Sequence, residues 1–315
     1  MPMFINVSIG LETSFQYINY MKHFVLVLLA FVQLSCATQN SSPGEDNSIK
    51  KLIIKDQPVY IENKTINDIV DFTFFLEKHL ISEGVYQVNV KSGITFKKCI
   101  FKKPVTAFRK MVDGKIVLTS FQGNVSFIDC VFQDEVNFRG SRIMGRTDFT
   151  GSTFNDSANF EELNCYDNAY FNQCVFEGVS RFQNAFFNQK ANFMSAEFDE
   201  VISFQNSMFN SELQFSASKF YKYADFTLVD CRGKVLFNYA EFTEKADFSH
   251  SIFAQDFHFV STKNNTTNFN NCRFLGKVSF NKLDVLNTLS LNESYFLLDM
   301  PKIDVSSKKL IKNSN

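Results

Sequence analysis

Phe182-Gln183-Asn184-Ala185-Phe186-Phe187-Asn188-Gln189-Lys190-Ala191-Asn192-Phe193-Met194-Ser195-Ala196-Glu197-Phe198-Asp199-Glu200-Val201-Ile202-Ser203-Phe204 decides how the chain is read. Phe stands at 182, 187, 193, 198 and 204, so steps of five and six residues alternate. The alternation extends outward without a break from Phe121 to Phe259. Of its 26 slots, 23 hold Phe, in a chain with 39 Phe among 315 residues. A fixed period of 11 residues is the mark of a repeat architecture, and it comes before any local reading.

A second position is also fixed. Two residues ahead of most Phe slots lies a small side chain: Ala158, Ala169, Ala185, Ala191, Ala196, Ser207, Ala224, Ala240, Ala246 and Ser251. Residues two apart in an extended segment share a face. Each Ala-x-Phe therefore points a small and a large side chain inward and leaves Asn, Asp, Gln or Glu outside. A helix with the same period fails on geometry, since a five-residue step turns about 500°, and successive Phe would stand about 140° apart instead of forming a seam.

The exceptions measure the coil. Ile143, Cys165 and Cys231 are the three slots without Phe, and all fall in one register with Phe187 and Phe209, at intervals of 22 residues. One turn is therefore 22 residues with four short faces, and one face accepts a smaller inward residue. The expected fold is all-β, a four-sided parallel β-helix.

These units resemble the pentapeptide-repeat family, whose unit is Ala-Asp/Asn-Leu/Phe-x-x. Ala191-Asn192-Phe193-Met194-Ser195, Ala196-Glu197-Phe198, Ala224-Asp225-Phe226 and Ala246-Asp247-Phe248-Ser249-His250 carry the resemblance. It implies a right-handed quadrilateral β-helix. The departures are one extra residue in alternate units and Phe throughout where many members use Leu, which looks like a Phe-rich branch.

Taken in order, residues 1–36 read as a leader. Met21-Lys22-His23, an apolar run from Phe24 to Val32, and Gln33-Leu34-Ser35-Cys36 have the charged start, short apolar core and small residue of an export signal. The run is too short to span a bilayer comfortably. Leu34-Ser35-Cys36 resembles a lipoprotein cleavage box, which makes Cys36 the expected lipidation site and Met21 a candidate start. The expected location is then the cell envelope, membrane-anchored and facing periplasm or cell surface. Residues 37–50 are polar and read as a flexible tether.

Residues 51–115 read as N-terminal coils. Val59, Ile61, Ile66, Val70 and Phe72 carry the ladder weakly, and residues 71–82 break register and suit a short helix capping the stack. Val90, Phe96 and Phe101 resume the ladder, with Ile94 and Cys99 two residues ahead of the Phe pair. Residues 102–115, with Pro104 and Gly114, read as an insertion. The solenoid proper covers 116–300, with a second insertion expected at 261–267 and aliphatics replacing Phe near its end. Residues 301–315 read as a frayed tail.

Chemistry is sparse. No HExxH, GxSxG, GxGxxG, P-loop or CxxC pattern occurs, so no catalytic, cofactor-binding or metal residues are expected. Of the four histidines, His258 stands between inward Phe257 and Phe259 and should point outward. The seven cysteines read as small core fillers; Cys130 and Cys174 are 44 residues apart, two coils, too far for a disulfide. With a formal charge of -1, a basic nucleic-acid binder is not expected. Between residues 120 and 299 there are 22 acidic against 14 basic side chains, with Glu197, Asp199 and Glu200 together.

The reading that fits best is a non-enzymatic envelope scaffold presenting a repetitive surface to a protein or glycan, held to the membrane by lipid at Cys36. A second, implied by the resemblance, is a DNA mimic that binds topoisomerase, which would need a cytoplasmic and strongly acidic chain. A third is a polysaccharide-active β-helix enzyme, with carboxylates along one face.

Overall fold

The computed structural model describes residues 45–74, 76–305 and 311–312. In the regular coils each inward Phe closes or directly follows a short strand: Phe187 and Phe198 end Phe186–Phe187 and Glu197–Phe198, and Phe193 and Phe204 follow Ala191–Asn192 and Ile202–Ser203. Every such strand pairs in parallel with one a coil later: Phe187 with Phe209, Ala191 with Leu213, Phe198 with Phe220, Ile202 with Ala224. The fold is a four-sided parallel β-solenoid of 22-residue coils, as the spacing of the Phe slots requires. The faces are called first to fourth after the rows holding Phe193, Phe198, Phe204 and Phe209.

Phenylalanine suits this interior because one ring satisfies two kinds of neighbour. Along the first row, Phe171, Phe193, Phe215 and Phe237 stack at 4.7 to 5.0 Å with planes within 10° of parallel. Across the interior, rings from opposite faces meet edge to face, as Phe193 and Phe204 do at 5.2 Å and 82°. The rows are buried throughout, each ring contributing about 2 kcal/mol or more in transfer terms.

The unequal steps come from two kinds of corner. Five-residue steps, leaving the first and third faces, carry a left-handed residue every 11 positions, from Glu162 through Gln173, Asn184 and Ser195 to His250, with φ of 57 to 62°. A short backward bond closes most of them, as when the Ser207 N–H donates to the Phe204 carbonyl at 3.0 Å, which is a type II turn. The Asn or Asp before Phe caps that turn: Asn192 Oδ1 accepts the Met194 N–H and Asp225 Oδ1 the Thr227 N–H, both at 3.0 Å. Six-residue steps make wider corners that press on the coil below. A Cβ on Gly178 would lie 2.5 Å from the Asp156 carbonyl carbon, and one on Gly233 would run into Ser211.

The small inward position also has a polar task. Ser251 Oγ donates to the Phe226 carbonyl at 2.9 Å and accepts the Val229 N–H at 3.1 Å, so one hydroxyl satisfies two corner groups of the coil below. On the fourth face, volume is exchanged between the paired positions. Where Cys165 and Cys231 replace Phe, the small position holds Leu163 and Val229, all four buried.

The N-terminal end departs from the sequence reading. The capping helix is α1, Glu45–Ile54, which begins in the stretch expected as a tether and runs four residues into the expected coils. Its Ile49 and Ile53, one turn apart, enter the core. Residues 71–82 form no helix: Phe72 continues the inward ladder, and β1 (His79–Ser82) lies antiparallel on β2 (Val85–Val90). A second hairpin places β3 (Phe108–Lys110) on β4 (Ile116–Phe121), and β2 and β4 pair in parallel over six residues. The expected insertion at 102–115 is therefore narrower than its bounds, because Val105 and Ala107 are fully buried ladder residues. Both hairpins extend the fourth face sideways.

The expected insertion at 261–267 is instead a shortened coil. Lys263–Asn268 is a strand in register with Glu241–Asp247, and its offset drops from 22 residues at Phe242 and Asn264 to 21 at Ala246 and Thr267. The expected tail continues the coil in part, since Ile303–Val305 pairs with Phe280 and Leu283, and Ile311–Lys312 with Leu289 and Ser290. The leader and the tether up to residue 44 lie outside the described residues.

Candidate functional site

With the interior filled by rings, what the chain offers a partner is its outward side chains and its N-terminal end. On the first and third faces many outward residues cap turns, as Asp148, Asn192, Asn159 and Asp225 do. The second face is free of that task, and its outward row divides in two.

Its N-terminal half carries Thr65, Ile100, Val131, Thr153 and Val175, uncharged and mostly β-branched, in register from coil to coil. At the strand spacing of about 4.8 Å these side chains make a flat, regular strip. Its C-terminal half carries Glu197, Lys219, Glu241, Lys263 and Asp284, whose signs alternate at every coil. Ion pairs join Glu197 to Lys219 at 2.7 Å and Glu241 to Lys263 at 2.9 Å.

The corners repeat the device. Lys190 pairs with Glu212 at 2.8 Å, in a row that continues through Lys234, Asp256 and Lys277, and Lys222 pairs with Glu244 at 3.1 Å in a row beginning at Glu200. The local acidic excess is therefore dispersed among cations. Asp199 alone stands out in the expected acidic cluster, its carboxyl pushed up by burial and then by Glu197 and Glu200.

At the N-terminal end a cleft of about 220 Å³ lies between α1 and the third face, lined by Ile49, Ile53, Ile69, Phe74, Asp71 and Arg109 among others. Arg109 forms an ion pair with Asp71 and lies 4.7 Å from the centre of the Phe74 ring. Asp71 also accepts the Thr73 N–H at 2.8 Å and its hydroxyl at 2.6 Å. The polar groups of the cleft are thus mutually satisfied.

Among the described residues, no group of three or more His, Cys, Asp or Glu is arranged to hold a metal, and no helix is long and apolar enough to cross a membrane. His258 points outward as expected, half-buried, with Nε2 lacking a hydrogen-bond partner. His79 and His250 are exposed, and neither is near a titratable partner that would make a catalytic pair. Cys36 lies outside the described residues. The other six cysteines are buried free thiols. Burial pushes Cys272 up to about 12 and raises Cys174 and Cys231 further, so these are inert core thiols.

The sequence reading passed over the divided second face, although the alternation is written at 22-residue intervals, Glu197-Lys219-Glu241-Lys263. The signal was there once the register was known. It was hidden because charge was summed over the stretch and not compared between neighbouring coils.

A family model described as pentapeptide repeats (9 copies) matches residues 117–163 and 171–219. No curated protein and no solved structure matches the chain. Strand register carries the same coil well past the matched segments on both sides, from Val59 to Leu289.

Proposed function

We propose that this pentapeptide-repeat β-solenoid is a non-enzymatic scaffold of the cell envelope, tethered by a lipid at Cys36, that holds a protein or glycan against its outer surface. The observation that carries the reading is the solid interior. Stacked, fully buried rings fill the interior of the described coils, so recognition falls to the outward rows and the N-terminal end. The uncharged strip of Ile100, Val131, Thr153 and Val175 is one outward surface that turn capping and ion pairing leave available.

The alternating charge rows favour this reading over DNA mimicry. A mimic needs a continuous negative face, whereas each acid of the second face has a lysine one coil away. A lipid on Cys36 would also fit the placement of α1. The eight residues between Cys36 and Glu45 reach at most about 30 Å, which would keep the stack close to the bilayer.

The deciding experiment is metabolic labelling with a fatty acid, wild type beside Cys36→Ser. Label and membrane fractionation should both disappear in the variant. Label kept by Cys36→Ser, or a wild-type chain remaining in the cytoplasm with residues 21–36 intact, would remove the anchor. Binding is then measured against purified envelope polysaccharides and proteins with Val131→Glu and Val175→Glu, which should weaken it without unfolding the stack.

A further inference from the structure

The register brings together two cysteines that sequence spacing kept apart. Cys99 and Cys130 are 31 residues distant, which is not a multiple of 22, because the β3–β4 hairpin lengthens that coil. Ile100 pairs with Val131, and the Val131 N–H donates to the Cys99 carbonyl at 2.9 Å, so the two cysteines stand one directly above the other on adjacent parallel strands. Both side chains occupy the small inward position of the second face and both are fully buried.

Strands in such a ladder lie about 4.8 Å apart, inside the Cα separation a disulfide tolerates. The sulfurs take equivalent orientations. Cys99 Sγ lies 3.4 Å from the Lys97 carbonyl and 3.5 Å from that of Ile61; Cys130 Sγ lies 3.4 Å from the Ile128 carbonyl and 3.6 Å from that of Phe96. No other pair of the six described cysteines is one coil apart: Ser152 separates Cys130 from Cys174, and Cys165, Cys231 and Cys272 lie on the fourth face, with Cys231 and Cys272 at different inward positions.

We propose that Cys99 and Cys130 form a disulfide when the chain meets a disulfide-donating oxidant, clasping the second coil to the third. The balance is that of thiol–disulfide exchange. The Cys99 thiolate attacks a sulfur of the donor disulfide and displaces one donor thiolate, giving a mixed disulfide. The Cys130 thiolate then attacks Cys99 Sγ and expels the second donor thiolate. One S–S bond is made in the protein and one is lost in the donor, two electrons pass to the donor, and the two thiol protons end on its two sulfurs.

The order of attack follows from the environment. The neighbouring Cys130 thiol, helped by the backbone of Lys64 and Lys97 against burial, holds the Cys99 thiol below its ordinary value, while the neighbouring Cys99 and burial push Cys130 up. Cys99 is also nearer the N-terminal end, one coil in, under the strand Val59–Glu62. Lifting that first coil admits the oxidant. The clasp would tie down the two coils that carry the irregular hairpins, where the stack is least regular.

The proposal goes beyond the scaffold reading and depends on export only for where the oxidant is met. It is tested on the purified full chain, so a failed lipid-labelling experiment leaves it standing. The reduced protein is incubated with oxidised glutathione, alkylated while being unfolded, and mapped without reductant. The expected product is one linked peptide pair containing Cys99 and Cys130, with Cys165, Cys174, Cys231 and Cys272 recovered alkylated, and a melting temperature that falls by several degrees when reductant is added. Cys174→Ala should keep the link, and Cys130→Ala should lose it with no substitute pairing. Recovery of both Cys99 and Cys130 as alkylated thiols, or a link from Cys99 to any other cysteine, overturns it.

Discussion

Phe259 lies over Phe242, ring centroids 5.8 Å apart and planes 18° from parallel, although its place in the first row is above Phe237. It is tilted 57° against Phe237, where its predecessors stack within 10°. The cause is one coil further on. The slot above Phe242 belongs to Asn264, fully buried and bonded to Thr262 and Thr267, and it leaves ring-sized space beside the second row. Phe259 leans into that space, and Phe257, at a position filled in other coils by Ile, Val, Thr, Ala or Leu, supplies the lost volume.

That exchange predicts strong coupling between the two sites. Asn264→Phe alone should overpack the layer and cost about 1–3 kcal/mol, and Phe257→Val alone should leave a cavity costing about 2–4 kcal/mol. The double variant restores the regular pattern and should fall short of the summed cost by more than about 1 kcal/mol. Urea denaturation of the four proteins checks this, and plain additivity would mean that the two positions are independent. For comparison, Phe182→Ala in a regular layer should cost about 3–5 kcal/mol with no such rescue.

Tyr239 holds a left-handed corner at φ 61° with its side chain largely in solvent. That backbone costs an ordinary residue about 1 kcal/mol, and Asn tolerates it better. Tyr239→Asn should therefore raise stability by roughly 0.5 kcal/mol. Tyr239→Val should lower it by about 1 kcal/mol, because branching at Cβ worsens the strain. A thermal melt showing the opposite order would contradict the corner assignment.

Reversing one charge should expose the ladder. Lys219→Glu puts three carboxylates, at 197, 219 and 241, in register on neighbouring strands. Exposed pairs are worth roughly 0.3–1 kcal/mol, and like charges opposite one another are destabilising, so about 1–2 kcal/mol should be lost at low salt. The loss should shrink by half or more at about 0.5 M salt, where the Debye length is a few ångströms. A loss that ignores salt would point to packing of the lysine stem instead.

His258 gives stability a pH dependence of definite sign. Burial first, then Lys234, hold its imidazole below the usual 6.5, with Asp256 pulling the other way. On acidification the unfolded chain takes up this proton before the folded one does. The contribution is whole above about pH 6.5 and is lost as pH falls through the lower folded value. His258→Gln should flatten that part of the profile when urea midpoints are followed from about pH 8 to about pH 5. An unchanged slope in the variant would assign the dependence to other groups.

How much was readable follows from what each feature depends on. The Phe spacing sets coil length and inward rows because a period is a property of sequence alone, and the exceptions at Ile143, Cys165 and Cys231 even singled out the fourth face. The helix was misplaced because apolar content was weighed over 71–82, whereas Glu45–Ile54 needs only Ile49 and Ile53, one turn apart, to cover the end of the stack. Leu80 and Ile81 are exposed on a hairpin edge and Phe74 is exposed beside the N-terminal cleft, which apolar content alone does not reveal. The shortened coil at 261–267 was taken for a loop because Asn and Thr usually mark one, yet Thr262, Asn264 and Thr267 are buried. The Cys99–Cys130 contact needed the length of one hairpin, a quantity the repeat does not encode.

The sign alternation described above gives the length of this stack a parity. Removing one 22-residue coil, residues 219–240, would bring Glu241 over Glu197, Glu244 over Glu200 and Asp256 over Glu212, so that three rows would change from attraction to repulsion together. Removing two coils would return Lys263 to Glu197 and Lys277 to Glu212 as opposite partners and leave an uncharged residue over Glu200. A repeat that elsewhere could grow or shrink by single units is thus constrained, over its charged half, to change by even numbers.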